Sequence, residues 1–247
     1  MPDATLVESM FGRIARRYDF LNRVLSGGVD QLWRRRTVAK AVELVGPLAG
    51  KRVVDVCCGT GDLTIAFARV GAFAVGADFT HPMLLEALPK GMGAGELPMG
   101  YARGDALHLP IAAGVADVAS VAFGLRNVAD RGRALAEMAR VVRPGGVVLV
   151  LEFTLPPNRV LRSIYGFYFT RILPRLGGWV SGDPDAYSYL PDSVRTWPAP
   201  DRLRDEMALA GLESCGFELL FQGVAALHHG RRPYATAGSA SAQGAVR

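Results

Sequence analysis

The sequence predicts an α/β fold built on a parallel, doubly wound sheet, with helices ahead of it. Three observations carry that reading. Five short apolar runs alternate with segments of helical periodicity between residues 52 and 153. The first run leads straight into a glycine turn that opens the next helix. The fifth, Gly146–Phe153, is apolar almost throughout, as suits a strand covered on both faces.

Residues 6 to about 24 form the first predicted helix, because Phe11, Ile14, Tyr18 and Leu21 recur at offsets of three and four. Ser26-Gly27-Gly28 ends it, since glycine accepts a left-handed terminus. A second helix runs from about Asp30 to Leu44, carries Arg34, Arg35 and Arg36, and closes at Gly46-Pro47. These make a helical N-terminal part over residues 6–45. The strands are then Arg52–Cys57, Phe73–Asp78, Met99–Arg103, Ala116–Ala122 and Gly146–Phe153. The helices between them are Gly61–Val70, Pro82–Leu88 and Arg131–Val142, with a Gly/Pro-rich loop over about 89–98.

Residues 158–180 break the alternation. They mix Val160, Ile164, Tyr165 and Phe167 with Arg159, Arg162, Arg171 and Arg175, and read as part of an inserted helical cap spanning about 155–198. A late helix covers 200–211. Phe217–Gln222 and Val224–His229 close the fold as a strand pair around Gly223. From about Arg231 the chain is rich in Ala, Ser and Gly and is expected to form a tail without fixed structure. One domain is therefore expected over residues 1–230.

The bulk numbers narrow the function. The net charge is +5 and the pI about 9.4, but the basic residues form no single run, so nucleic acid is not expected as a partner. Cys57, Cys58 and Cys215 offer no plausible disulfide pattern and no zinc spacing, and no metal site is expected. The first residues show no signal-peptide pattern, and no apolar run reaches the roughly 20 residues of a spanning helix. A reduced, cytoplasmic setting follows as an expectation.

Chemistry concentrates in Cys57-Cys58-Gly59-Thr60-Gly61-Asp62. A strand, a glycine turn and a helix start bring unpaired backbone N–H groups close to a nucleotide-like ligand. Asp78 ends the second strand, 17 positions after Gly61, where a carboxylate suits ribose hydroxyls. Asp105 and Ala106 follow the third strand, at the same edge, and Asp105 suits an adenine amino group or a simple turn. NAD and S-adenosylmethionine both fit this layout. The missing third glycine, and Asp62 where a pyrophosphate would be repelled, favour the sulfonium ligand.

Taken together, the segments resemble a known family. They are Tyr18-Asp19-Phe20-Leu21-Asn22, Leu32-Trp33-Arg34-Arg35, Gly59–Thr64, Phe123-Gly124-Leu125-Arg126-Asn127-Val128, Arg143-Pro144-Gly145-Gly146, Leu151-Glu152-Phe153, Asp183–Leu190 and Val224–His228. In this order they resemble the quinone-biosynthesis C-methyltransferases that methylate demethylmenaquinol and, in many bacteria, a polyprenyl methoxybenzoquinol. The resemblance implies a class I, Rossmann-like S-adenosylmethionine methyltransferase. It implies cofactor contacts at Thr60, Asp78, Asp105 and Ala106, beside Gly59 and Gly61. It also implies one at Ala122, where many members carry serine and alanine leaves only a backbone contact. Cys57 replaces the usual first glycine of the loop. Since cysteine takes positive φ only at a cost, the turn is expected to need no left-handed residue there.

The reaction would be an in-line displacement on a methyl group by a ring carbon beside a quinol hydroxyl. Arg126 and Asn127 are candidates to stabilise the developing quinolate, and Arg126 reads equally as a structural ion pair. Tyr187 and Tyr189 line the ring pocket or pack the cap. His228 is a candidate base or a structural histidine. A polyprenylated quinol implies a tail, for which segment 158–180 offers a channel or a peripheral membrane contact, or else packs on itself. A homodimer is compatible with all of this. Demethylmenaquinol is the favoured substrate, although the residues do not separate naphthoquinol from benzoquinol.

Overall fold

The computed structural model describes residues 4–168, 171 and 193–234. The elements run α1 (Ala4–Ser26), α2 (Val29–Val45), β1 (Arg52–Val56), α3 (Asp62–Ala68), β2 (Phe73–Asp78), α4 (His81–Gly93), β3 (Met99–Arg103) and β4 (Ala116–Ala122). A 3-10 turn (Leu125–Asn127), α5 (Arg131–Val141), β5 (Val142–Phe153), α6 (Arg159–Phe167), α7 (Pro200–Leu209), β6 (Glu213–Leu220) and β7 (Ala225–Arg231) follow.

The seven strands stand in the order β3-β2-β1-β4-β5-β7-β6. The first five are parallel, as expected from the strand–helix alternation. The last pair makes the sheet mixed: β7 lies antiparallel to both β5 and β6. A hairpin can return in this way because its short turn needs no crossover helix. The pair also begins earlier and ends later than the sequence suggested.

Alternation along β5 explains the two-sided core. Val148 and Val150 face the layer of α5 and α7, where Leu135, Met138, Leu203 and Met207 are buried. Val147, Leu149 and Leu151 face α2 and α3, against Trp33 and Phe67. Each such fully buried aliphatic side chain stabilises the fold by about 1.5–3 kcal/mol before entropy is counted. Side-chain caps fix two helix starts. Asp130 accepts from the Arg133 amide at 2.9 Å, and Asn158 accepts from the amides of Val160 and Leu161 at 2.9 and 3.2 Å.

Two expectations about elements change. α4 does not stop before Pro89 but continues to Gly93. Proline removes one donor, yet Gly91 lets the extended helix settle on β3, where any Cβ would collide with Met99 and crowd Tyr101. Arg231 and Arg232 are not tail. Arg231 ends β7, and Arg232 exchanges backbone hydrogen bonds of 2.9 Å with Gly145 and Gly146. Of the predicted cap, α6 and the short stretch before α7 are described; Tyr187, Tyr189 and the Asp183–Leu190 segment lie outside the described residues. Among the described residues no helix is long and apolar enough to cross a membrane.

Candidate active site

The carboxyl ends of four parallel strands and one face of α1 enclose a cavity of about 840 Å³, counting its open mouth. That is the ligand edge of an open α/β sheet. Gly59 comes after β1, Asp78 ends β2, Asp105 and Ala106 follow β3, Ala122 ends β4 and Asn127 ends the turn after it. Five of the seven predicted cofactor positions therefore line one pocket. Thr60 and Gly61 do not.

Asp78 is held at the pocket wall by two backbone amides. Its Oδ2 accepts from the Gly59 amide at 2.8 Å and its Oδ1 from the Thr80 amide at 2.7 Å. Burial raises its pKa, and those two amides work against the rise. Asp105 shows the turn-capping role too, since its Oδ1 accepts from the Leu107 amide at 2.9 Å. Phe79, Met83, Leu107 and Val128 give the pocket apolar walls suited to a flat base.

The glycine loop departs from expectation at Cys57. Its φ is +53°, so the turn does need a left-handed residue there. The space comes from Gly124, where a Cβ would overlap the Cys57 side chain. Phe123, at φ +59°, shares the strain across the cleft. Phe123 is held from behind by Trp33 at 5.7 Å, Phe153 at 4.5 Å and the Arg34 guanidinium at 5.7 Å. Burial, with Asp78 and Asp55 nearby, pushes the Cys57 and Cys58 thiols well up.

Beneath the loop, Asp55 is buried and accepts from the Thr64 hydroxyl at 2.8 Å and the Ser120 hydroxyl at 3.1 Å. Burial raises its pKa to about 6 against those hydrogen bonds. It braces β1, β4 and α3 without reaching the pocket.

Thr60 takes a different role from the one expected. Its hydroxyl donates to Asp19 of α1 at 2.5 Å. Lys90, on the unexpected extension of α4, donates to Asp19 at 2.6 Å and also pairs with Asp62. Burial works against ionisation of Asp62, yet the charges of Lys90 and Arg34 hold its carboxyl below the usual carboxylate range. Asp62 is thus neutralised by Lys90 rather than facing a sulfonium. This network fastens α1 over the loop, and α1 in turn places Val7, Phe11 and Tyr18 in the pocket wall. Tyr18 and Asp19 sit in a segment that carried the family resemblance, but no spacing rule assigned them a role.

Arg126 and Asn127 occupy the 3-10 turn after β4. The Arg126 guanidinium donates to Glu152 at 3.0 Å and to the Phe123 carbonyl, and its amide donates to the other Glu152 oxygen at 3.2 Å. Arg126 is therefore an ion-pair partner, and its side chain does not line the pocket. Burial raises the Glu152 pKa, and the Arg126 charge opposes that rise. In this turn, Arg126 Nε and Asn127 Oδ1 are buried without a hydrogen-bond partner among the described residues. One is a donor and the other an acceptor, and Asn127 lines the pocket. Asn127 Oδ1, at the pocket wall, is thus an acceptor open to a ligand. His228 is elsewhere, buried on β7 with Nε2–H donating to the Pro200 carbonyl at 3.0 Å. Burial lowers its pKa to about 4, and it is a structural histidine.

A carboxylate at the end of β2, apolar walls and a glycine turn fit S-adenosylmethionine, and the family match below identifies the class as a methyltransferase that uses this cofactor. The sequence matches the ubiE/COQ5 methyltransferase family over residues 2–232. The chain belongs to that family. A demethylmenaquinone methyltransferase from Thermus thermophilus is 49% identical over 226 residues, covering 91% of this chain and 100% of that protein. One from Mycolicibacterium paratuberculosis is 43% identical, covering 92% and 94%. Among solved structures, a SAM-dependent methyltransferase from Thermotoga maritima superposes with a TM-score of 0.60 at 17% identity, covering 91% of this chain and 99% of that one. Phosphoethanolamine N-methyltransferase 2 of Haemonchus contortus, solved with S-adenosyl-L-methionine, gives 0.59 at 13%, covering 80% and 52%. These two likenesses speak for the fold alone.

Proposed function

We infer that this enzyme methylates a ring carbon of demethylmenaquinol, giving menaquinol. The observation that carries the reading is the 49% and 43% identity, over nearly the whole chain, to proteins named demethylmenaquinone methyltransferase. Bound S-adenosylmethionine supplies an electrophilic methyl group on a sulfonium. The chain's residues do the rest. Asp78 and the Gly59 loop orient the cofactor, and α1 excludes water from above. Asn127 Oδ1 accepts from the quinol hydroxyl next to the reacting carbon. That polarises the O–H bond and raises electron density on the ring, and the proton displaced from the methylated carbon would pass to solvent at the open mouth of the pocket. Arg126, paired with Glu152 behind the pocket, fixes the turn that presents Asn127. Glu152 holds the guanidinium still, so little reorganisation is needed.

Complementation of a strain lacking quinone C-methylation tests the reading, with the extracted quinones followed by mass spectrometry. Restored menaquinone is expected. Restored ubiquinone with demethylmenaquinone unchanged would move the substrate to the benzoquinol ring. Restoration of neither would overturn the reading.

A further inference from the structure

α6 carries an apolar stripe that is exposed among the described residues. Val160, Ile164 and Phe167 stand at offsets of four and three, on one helical face, and are 67%, 61% and 61% exposed. No residue of α6 is buried. The helix is nonetheless built rather than frayed. Asn158 caps its first turn, and the Arg162 guanidinium ties it back to the Pro156 carbonyl at 2.9 Å. Its other side carries the half-buried Tyr165, which lies in the field of Arg126. α6 starts six residues after the end of β5, where Glu152 pairs with Arg126 of the turn beside the pocket.

Charge says what covers that surface. From Phe153 to Gly182 the sequence holds no acidic residue, while Arg159, Arg162, Arg171 and Arg175 all fall within it. Arg171 is exposed. The chain as a whole is at +5. A second copy of the same basic face would be repelled, whereas an anionic lipid surface offers both an apolar layer and negative headgroups.

We propose that α6 is a membrane-contact helix whose Val160, Ile164 and Phe167 face beds into the surface of an anionic bilayer, with Arg159 and Arg171 on the headgroups. The contact rests on α6 and the charge around it. Its use, bringing the active-site turn to a lipid-borne quinol, rests on the function proposed above.

Flotation of the full chain with vesicles tests the contact. Phosphatidylglycerol/phosphatidylcholine mixtures and pure phosphatidylcholine would be compared at low and high salt. Binding to the anionic vesicles at low salt is expected, weakened by salt and absent on pure phosphatidylcholine. Val160→Ser, Ile164→Ser and Phe167→Ser together should reduce binding by about tenfold or more. These positions are exposed, so the melting temperature and the turnover of a short-chain quinol in solution should stay unchanged. A wild type that fails to float at low salt would overturn the proposal, as would a triple variant that floats equally well. So would a wild-type dimer that the triple variant turns into a monomer, because a second copy would then own the stripe. Intact flotation with no quinol methylation would sink the substrate reading and leave the contact standing.

Discussion

Arg126 and Glu152 are joined twice: the Arg126 guanidinium reaches one carboxylate oxygen at 3.0 Å, and its own amide reaches the other at 3.2 Å. The pair is nearly dry, with side-chain exposures of 7% and 1%. Removing one partner strands the other. Arg126→Ala should therefore cost about 3–5 kcal/mol of stability as well as turnover. The double variant Arg126→Met with Glu152→Met should recover most of that stability, since both charges leave together. It should not recover turnover, while cofactor affinity stays near wild type. Thermal melts, calorimetric titration and rate measurements on the three proteins check this. Recovery of turnover in the double variant would reduce the pair to a packing role.

Lys90 acts on the cofactor from a distance. It touches Asp19 of α1 and Asp62 of α3, and lines no part of the pocket. Lys90→Met releases α1 and leaves two carboxylates facing each other. S-adenosylmethionine affinity is expected to fall by about tenfold, or about 1.4 kcal/mol. The melting temperature without cofactor should move much less, because Lys90 is a quarter exposed. Titration calorimetry distinguishes this from an unchanged affinity, which would remove α1 docking from the binding step.

Acid stability should hold two opposed contributions. For His228 the folded pKa is about 4 and the ordinary value 6.5. The unfolded chain takes up that proton first, so the histidine's contribution is complete above about pH 6.5 and is lost as pH falls toward 4. Its ceiling is about 3 kcal/mol, at about 1.4 kcal/mol per pH unit. Asp55 runs the other way. Its folded pKa of about 6 exceeds the ordinary 3.8, so the folded state takes up that proton first and gains as pH falls through 6. Denaturant melts from pH 7 to pH 4 should show a shallow net slope in the wild type. His228→Gln should uncover the Asp55 contribution, becoming more stable on acidification relative to the wild type. Parallel curves would count against both assignments.

Cys57 holds a glycine conformation without being glycine. Cys57→Gly should relieve about 1 kcal/mol of backbone strain, offset in part by the greater freedom of glycine in the unfolded chain. Cys57→Val should destabilise by more, since a β-branched side chain adds bulk at Gly124. Chemical denaturation of the three proteins checks the order, and a less stable glycine variant would remove strain as the issue.

β2, β3 and β4 were legible to the residue, because their apolar runs are bounded by glycine, proline and charge. The cofactor edge was legible too, since Asp78, Asp105 and Ala106 each follow a strand. What could not be read was built from residues far apart. Lys90, Asp19, Thr60 and Asp62 meet only after three helices pack. Pro89 looked like a helix end because local rules govern it, while Gly91 against Met99 and Tyr101 decides the outcome. Cys57 misled for a related reason: its conformation is permitted by an absent side chain at Gly124, 67 positions along the chain. Arg126 was recognised, but its partner was not, because Glu152 sits inside an apolar strand with nothing in the sequence to pair it.

The antiparallel placement of β7 also bears on how the protein is made. β7 fills the slot between β5 and β6, and Ala225, Ala226 and Leu227 are almost wholly buried there. A ribosome delivers β5 some seventy residues before it delivers β7. During that interval the most apolar strand of the sheet has an open edge, the kind of surface that recruits other chains. Nascent protein should therefore depend on chaperone cover until residue 231 has emerged, and any stop codon before β7 should yield aggregate rather than a smaller enzyme.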